Sequence, residues 1–363
     1  MTDPTGLGST PVYVLGIYLL ALLAFGVVGY RRRQAESEED YYLAGRSQGW
    51  IVSSLTIMAT FFSSFALLGA PGMVYRDGVV FALFSLNVPV AGVAIYLFGA
   101  RIRRLGRERG FVTPADMIAD HYASPVGLRL LVALVGLLYT IPYVVMQIQA
   151  GGILSQQLFP GRESFESGAS LLALVTMVYV TVGGMRSVAW TDVVQGGLLV
   201  GGMLLAGAAS VWALGGPGPF FAAVATLPPK SLSAPGTTGK WTPEVLFTAS
   251  LFAALGSMIQ PAQWMRFYAA KSSQVLKRSA LIFAVVLTLC FFFGVMLVGL
   301  GGQALYPLVD ATGDYLTDDA GDVLPNPAVG SSAREFDQIL VVVLKTQLPE
   351  LMGDFGAVLA ALV

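Results

Sequence analysis

The stretch IVSSLTIMATFFSSFALLGAPGMVYRDG, residues Ile51–Gly78, decides how the rest of the chain is read. It is long and apolar enough to cross a bilayer, for which about 20 residues suffice. It is nonetheless a poor plain anchor. Thr60, Ser63 and Ser64 place hydroxyls in its middle, and Gly69, Pro71 and Gly72 loosen its far end. In hydrocarbon, freed backbone groups and hydroxyls are tolerated only where protein or a water-filled cavity meets them. An interrupted span with polar groups near mid-depth therefore points to a transport site.

Composition extends that reading to the whole chain. Of 363 residues, 55% are hydrophobic and 12% charged, about half the charge of a soluble domain. The expected class is an all-α polytopic membrane protein. A formal net charge of −1 suggests no nucleic-acid partner. The single cysteine, Cys290, lies in an apolar run, so it forms no disulfide within the chain and reads as a small buried hydrophobe. The start, MTDPTGLGST, has no basic region and the first apolar run has spanning length, so no cleavable leader is expected. No metal-ligand cluster and no nucleophile with a base is visible, which argues against an enzyme or a cofactor.

Nine spans are expected: Pro11–Tyr30, Ile51–Tyr75, Gly78–Ala100, Ser124–Phe159, Gly168–Gly184, Ala189–Leu214, Pro243–Phe267, Val275–Gly302, and a last one from Leu348 to the final residue. With the amino terminus outside, 15 basic residues fall inside and 6 outside. The positive-inside rule favours that orientation, since every inside loop is basic. Between the third and fourth spans, Thr113-Pro114-Ala115-Asp116 has the cap, first-position proline and first-turn acid of a helix start. A short cytoplasmic surface helix is expected there, carrying His121 as a solvated or helix-end residue. Gly215–Thr242 and the acidic Tyr306–Ser332 read as outside loops, and Ala333–Thr346 as a helix lying on the outer surface. From Pro349 to Val363 only 15 residues remain. The chain is thus expected to be a piece of a longer membrane protein.

Four motifs then carry a resemblance: YYLAGRSQGW at Tyr41–Trp50 leading into ATFFSSFALLGAPGMVYRDG, GGMRSVAWTDVVQG at Gly183–Gly196, and QWMRFYAAKS at Gln263–Ser272. In order and spacing they resemble the sodium/solute symporter family, and GFVTPAD looks most like its monocarboxylate-permease branch. The resemblance implies a LeuT-type inverted-repeat core preceded by one peripheral helix. Residues 1–30 would be that helix, 31–50 a cytoplasmic loop, 51–214 the first five-helix repeat, 215–242 an extracellular loop, and 243–363 the start of a second repeat stopping in its third helix. The first helix of each repeat would be broken. The sequence shows interruptions in both, at Gly69 to Gly72 and at Gly256 to Pro261.

The same resemblance implies the site. Sodium, the coupling ion, would be held by the carbonyls of Ala59 and Phe62, with partner hydroxyls on the helix begun by the last span. Some family members carry an aspartate where this chain has Phe61. Ser63 and Ser64 would contact substrate or the ion's second shell; their bland alternatives are back-bonding to a carbonyl one turn earlier and close helix packing. Ser85 stands where sugar carriers have an acidic ligand, which argues against a sugar. Asn87 beside Pro89 reads equally as a ligand or as a partner for a kinked backbone. Gln260 aligns with a substrate-contacting amide. Gln263 and Trp264 follow, Trp264 as a gate or as an ordinary interfacial tryptophan. Gln147 and Gln149 are costly amides in a membrane helix. An offset of two residues turns a helix by about 200°, so at most one faces a cavity, and Gln147 is the choice. Asp192 has two readings, an ion-exit or second sodium-site acid, or first-turn dipole compensation supported by Arg186.

The expected function is a sodium-coupled importer of a small organic solute, carboxylate or amino-acid-like, working by alternating access in the cell membrane. A solute-sensing module of a transporter-like sensor kinase is the alternative, and a channel or a membrane enzyme is weaker.

Overall fold

The computed structural model describes residues 10–32, 37–124, 126–159, 165–332 and 335–362. Helix α1, Thr10–Arg31, is apolar along its length. A short α2, Glu38–Leu43, is capped by the Ser37 hydroxyl, so the 31–50 connection is more structured than a plain loop. The decisive stretch then forms α3, Trp50–Phe61, and α4, Phe65–Asp77, bent by 67°. Next come α5, Val79–Arg109; α6, Pro114–His121; α7, Gly127–Leu158; and α8, Phe165–Ala213. The second bent pair is α10, Pro243–Ile259, and α11, Pro261–Ala269, at 50°, followed by α12, Ser273–Leu305. A small helix, α9, Pro217–Ala225, precedes that pair, and α13, Ile339–Leu362, ends the described chain. Among the described residues, five helices are long and apolar enough to cross a membrane, or seven if each bent pair is one span.

The α8 helix has 49 residues, which would be about 74 Å if straight, far beyond a hydrocarbon core of about 30 Å. It reverses at Gly184, whose φ of 61° and ψ of −159° leave the helical region. The packing on α1 shows the reversal. Leu22 clusters with Val175, and Gly26 abuts Tyr179, so the first half runs with α1. Gly29 abuts Ser187 and Tyr18 meets the Gln195 amide, so the second half runs against it. A Cβ at Gly184 would lie 2.7 Å from the Tyr41 carbonyl, so only glycine makes this turn without strain. This is one hairpin of two spans, as the sequence expects.

Three expectations change. The break in Ile51–Gly78 lies at Phe62–Ser64 and not at Gly69–Gly72. Pro71 sits in the first turn of the helix from Ala70, and a wide π-turn over Phe65–Gly69 absorbs its missing N–H. Residues 215–242 hold the helix α9, started by Pro217. Finally, residues Ile339–Leu344 are all buried, in contact with both core clusters, so α13 begins as a core helix and not a surface one. A run of six apolar residues leaves no polar face to lie on an interface. This helix breaks at Gly353, and Gly356 folds back against the Leu348 carbonyl.

At one end of the bundle, Asp77 closes α4. Fully buried, it accepts from Arg76 Nε (3.0 Å) and Nη2 (2.8 Å), Thr238 Oγ1 (2.8 Å) and Trp241 Nε1 (2.7 Å). One carboxylate thus staples the 215–242 connection over the end of the first bent span. At the other end α6 carries the capping box read from Thr113 and Asp116. Cys290 is buried in α12.

Candidate functional site

The 67° bend rearranges backbone hydrogen bonds over four residues. The Ser63 amide, which would close the regular turn onto the Ala59 carbonyl, donates instead to Phe61 O (3.0 Å). The Ala66 amide, whose regular partner is Phe62 O, donates instead to Ser63 O (2.9 Å), which also accepts the Leu67 amide (3.2 Å). Phe62 itself has non-helical angles, φ −80° and ψ 77°. The carbonyls of Ala59 and Phe62 are therefore released from the helical ladder at a bend inside the membrane span. Free carbonyl oxygens suit a hard cation, which takes oxygen ligands and needs no buried counter-charge to be held by dipoles.

One face of α7 completes the bend. The Tyr143 hydroxyl donates to Thr60 O (2.7 Å) and is hydrogen-bonded to the Ser63 side chain. One turn on, Gln147 Oε1 accepts the Ser64 amide (3.0 Å), and the Ser64 hydroxyl donates to Met146 O (3.2 Å). Residues 143 and 147 share a helix face by their spacing of four, while Gln149 is exposed on another. Ser63, Ser64 and Gln147 are thus together. Tyr143 is a site residue that sequence reading missed; its signal was its spacing from Gln147. The opposite side of the bend is aromatic, with Phe61 on Phe283 (5.1 Å), Phe62 on Phe291 (6.5 Å) and Phe65 on Phe81 (6.5 Å).

The second bend is at Gln260, with φ −58° and ψ 124°. Its carbonyl accepts the amides of Gln263 (3.0 Å) and Trp264 (3.3 Å). The Gln263 amide group reaches the first bent span and donates to Ile57 O (3.2 Å). Trp264 donates across its own bend to Met258 O and is partly buried on the core. It latches α10 to α11.

Asp192 differs most from its reading. Arg186 does not support it: that guanidinium pairs with Asp40 (2.5 Å). The partner of Asp192 is Arg266, at 3.3 Å, with both side chains nearly buried. The Thr56 hydroxyl also donates to Asp192, and Arg266 Nε donates to Thr56 O (3.2 Å). One ion pair therefore joins α3, the second half of α8 and α11. Arg266 stood in a quoted motif without being singled out, because nothing local couples it to a residue 74 positions earlier.

Ser85 and Asn87 lie on α5 and are buried. Asn87 donates to Phe84 O, which is the backbone role weighed for it. Ser85 Oγ, Asn87 Oδ1 and Gln263 Oε1 are buried atoms without a hydrogen-bond partner among the described residues. Such atoms are costly in an apolar medium, which marks these three side chains as candidates to meet a polar ligand. No hydrogen bond between the described residues joins Ser85 or Asn87 to Ser63 or Gln147.

A family model described as the Sodium:solute symporter family matches residues 41–361. The chain belongs to the sodium:solute symporter family. Among its relatives are the sodium/pantothenate symporter of Escherichia coli (strain K12), 26% identical over 80% of this chain and 60% of that protein, and the high-affinity proline transporter PutP of Bacillus subtilis (strain 168), 29% identical over 78% and 59%. These relatives are transporters and not enzymes. The chain spans about 60% of the length of the curated relatives it matches. A solved structure, the substrate-bound outward-open state of a Na+-coupled sialic acid symporter, has a TM-score of 0.76 at 22% identity, covering 98% of this chain and 70% of that one. The fold of this symporter-family chain is therefore the LeuT-type fold.

Proposed function

We propose that this chain carries the site of a sodium-coupled symporter that imports a small carboxylate- or amino-acid-like solute by alternating access. The observation that carries the proposal is the release of the Ala59 and Phe62 carbonyls beside Ser63. These oxygens would take the sodium ion, with Tyr143 and Gln147 holding the bend in register. Ser63, Ser64, Gln147, Gln260 and Gln263, with Ser85 and Asn87, are the candidate solute contacts, and the Asp192–Arg266 pair lies on the ion's route to the inside. The matched relatives are named for pantothenate and proline, both of which bear a carboxylate, and this supports the solute class.

Residues 51–214 act as the first repeat and 243–363 as the beginning of the second, with α1 peripheral. The amino terminus faces outward. Support comes from the basic end of the bundle, where Arg103 donates to Ala270 O (2.7 Å) and Lys271 O (2.6 Å) and Arg46 donates to Phe111 O (2.9 Å), set against the excess of basic residues on the loops of that side.

Sodium bound at the first bend favours the outward-open shape and so raises solute affinity. By linkage, solute must raise sodium affinity by the same factor. Equilibrium binding of radioactive sodium to the purified protein tests this. Saturable binding displaced by unlabelled sodium but not by choline, and strengthened by a carboxylate solute such as proline or pantothenate, is expected. Displacement by choline and sodium alike sinks the proposal.

A further inference from the structure

We propose that the cleft between the basic end of α5 and the start of α12 binds the headgroup of an anionic phospholipid. The cleft encloses about 430 Å³ and is lined by Arg101, Arg104, Lys277, Tyr96 and Ser273 among others, with no carboxylate in its lining. That volume suits a small ligand. Its three cations converge from two helices.

Five other basic groups at this end are consumed within the protein. Arg46 pairs with Glu39, Arg109 with Asp120, Arg129 with Asp116 and Arg186 with Asp40, while Arg103 is taken by two backbone carbonyls. Arg101, Arg104 and Lys277 form no ion pair within 4.0 Å among the described residues. Lys277 is held over the Tyr96 ring, 5.0 Å from its centroid, which keeps the ammonium at the rim. Ser273 opens an 18-residue helix, whose positive dipole end adds to the field.

The walls select a lipid over a soluble phosphate. Leu97 and Val93 lie one and two turns from Arg101, and Leu281 and Val285 one and two turns from Lys277. Each is more than half exposed. By their spacing of four these residues continue the cationic faces as an apolar track of about 12 Å. Close packing of Gly92 on Ala284 and of Gly99 on Leu276 holds the two helices together behind it. A bound headgroup would place its acyl chains on that track and its phosphate among the three cations.

Native mass spectrometry of the purified chain in detergent, titrated with phosphatidylglycerol, phosphatidylcholine or glycerol phosphate, tests this. Retention of phosphatidylglycerol over phosphatidylcholine is expected. Each cation near an anionic headgroup contributes about fivefold, so R101Q/R104Q/K277Q weakens phosphatidylglycerol on the order of 100-fold. R101K/R104K changes it only a few-fold, and R109Q/R129Q, whose arginines are already paired, leaves it unchanged. An unreactive Cys290 in each variant reports an intact fold. Equal retention of the two lipids, full retention by the triple variant, equal loss in R109Q/R129Q, or competition by glycerol phosphate at lipid-like concentrations overturns the proposal.

Discussion

Replacing Asp192 by asparagine tests whether one buried ion pair joins α8 to α11 and, through Thr56, to α3. Asp192 receives the Thr56 hydroxyl and, at 3.3 Å, the Arg266 guanidinium, and the two side chains are 11% and 12% exposed. Asparagine keeps an acceptor for Thr56 and removes the charge. Arg266 then remains buried with only Thr56 O at 3.2 Å and Ala262 O at 3.1 Å. Stranding one member of such a pair costs about 3–5 kcal/mol. The two retained carbonyls put D192N at the low end, about 3 kcal/mol. R266M leaves a carboxylate whose one remaining partner is the Thr56 hydroxyl, so it belongs at the high end, about 5 kcal/mol. D192N/R266M strands neither charge and is less destabilised than the sum by about 2 kcal/mol. The single buried cysteine supplies the assay: a thiol-reactive fluorogenic dye reports unfolding as Cys290 becomes accessible during isothermal denaturation in detergent. Additivity of the two single changes to within about 0.5 kcal/mol would refute the coupling.

Three further outcomes are expected. G184A forces an alanine into positive φ, with its Cβ 2.7 Å from the Tyr41 carbonyl, and loses about 2 kcal/mol or more in the same assay, because this region, essentially restricted to glycine, alone costs about 1–3 kcal/mol. Y143F removes the donor to Thr60 O and weakens sodium binding about fivefold, the worth of one hydrogen bond near 1 kcal/mol, while the dye-accessibility midpoint moves little; unchanged sodium affinity separates Tyr143 from the ion site. Asp337, outside the spans, has its carboxyl pushed up by burial against a smaller opposing pull from Arg76. A raised acid favours the folded state below its unfolded pKa and loses that contribution as pH climbs through its folded value. D337N is therefore more stable than the parent at pH 7, with the gap closing toward pH 4, and a gap that widens on acidification contradicts the sign.

What the sequence made legible was whatever rests on local chemistry. Apolar run lengths fix the spans, the loops alternate in basic content, and the Thr113–Asp116 cap appears where its residues stand. The second bend is equally local: Pro261 has no N–H to give, so the ladder stops at Gln260 whatever packs around it. The first bend is of another kind. Glycine and proline at 69–72 read as breakers, yet the chain turns at Phe62–Ser64, which contains neither. There the carbonyl of Thr60 and the amide of Ser64 are taken by Tyr143 and Gln147, about eighty residues away. The Asp192–Arg266 pair is likewise invisible locally, since its members are 74 positions apart. The two bends should therefore respond differently to loss of their neighbours. Without Tyr143 and Gln147, residues 59–66 have every amide needed to close a continuous helix, which would take back the carbonyls of Ala59 and Phe62. The bend at Gln260 would persist, because proline supplies its own reason. The bend of the first span is thus conditional, made by α7, and the free carbonyls of Ala59 and Phe62 exist only while that helix holds them open.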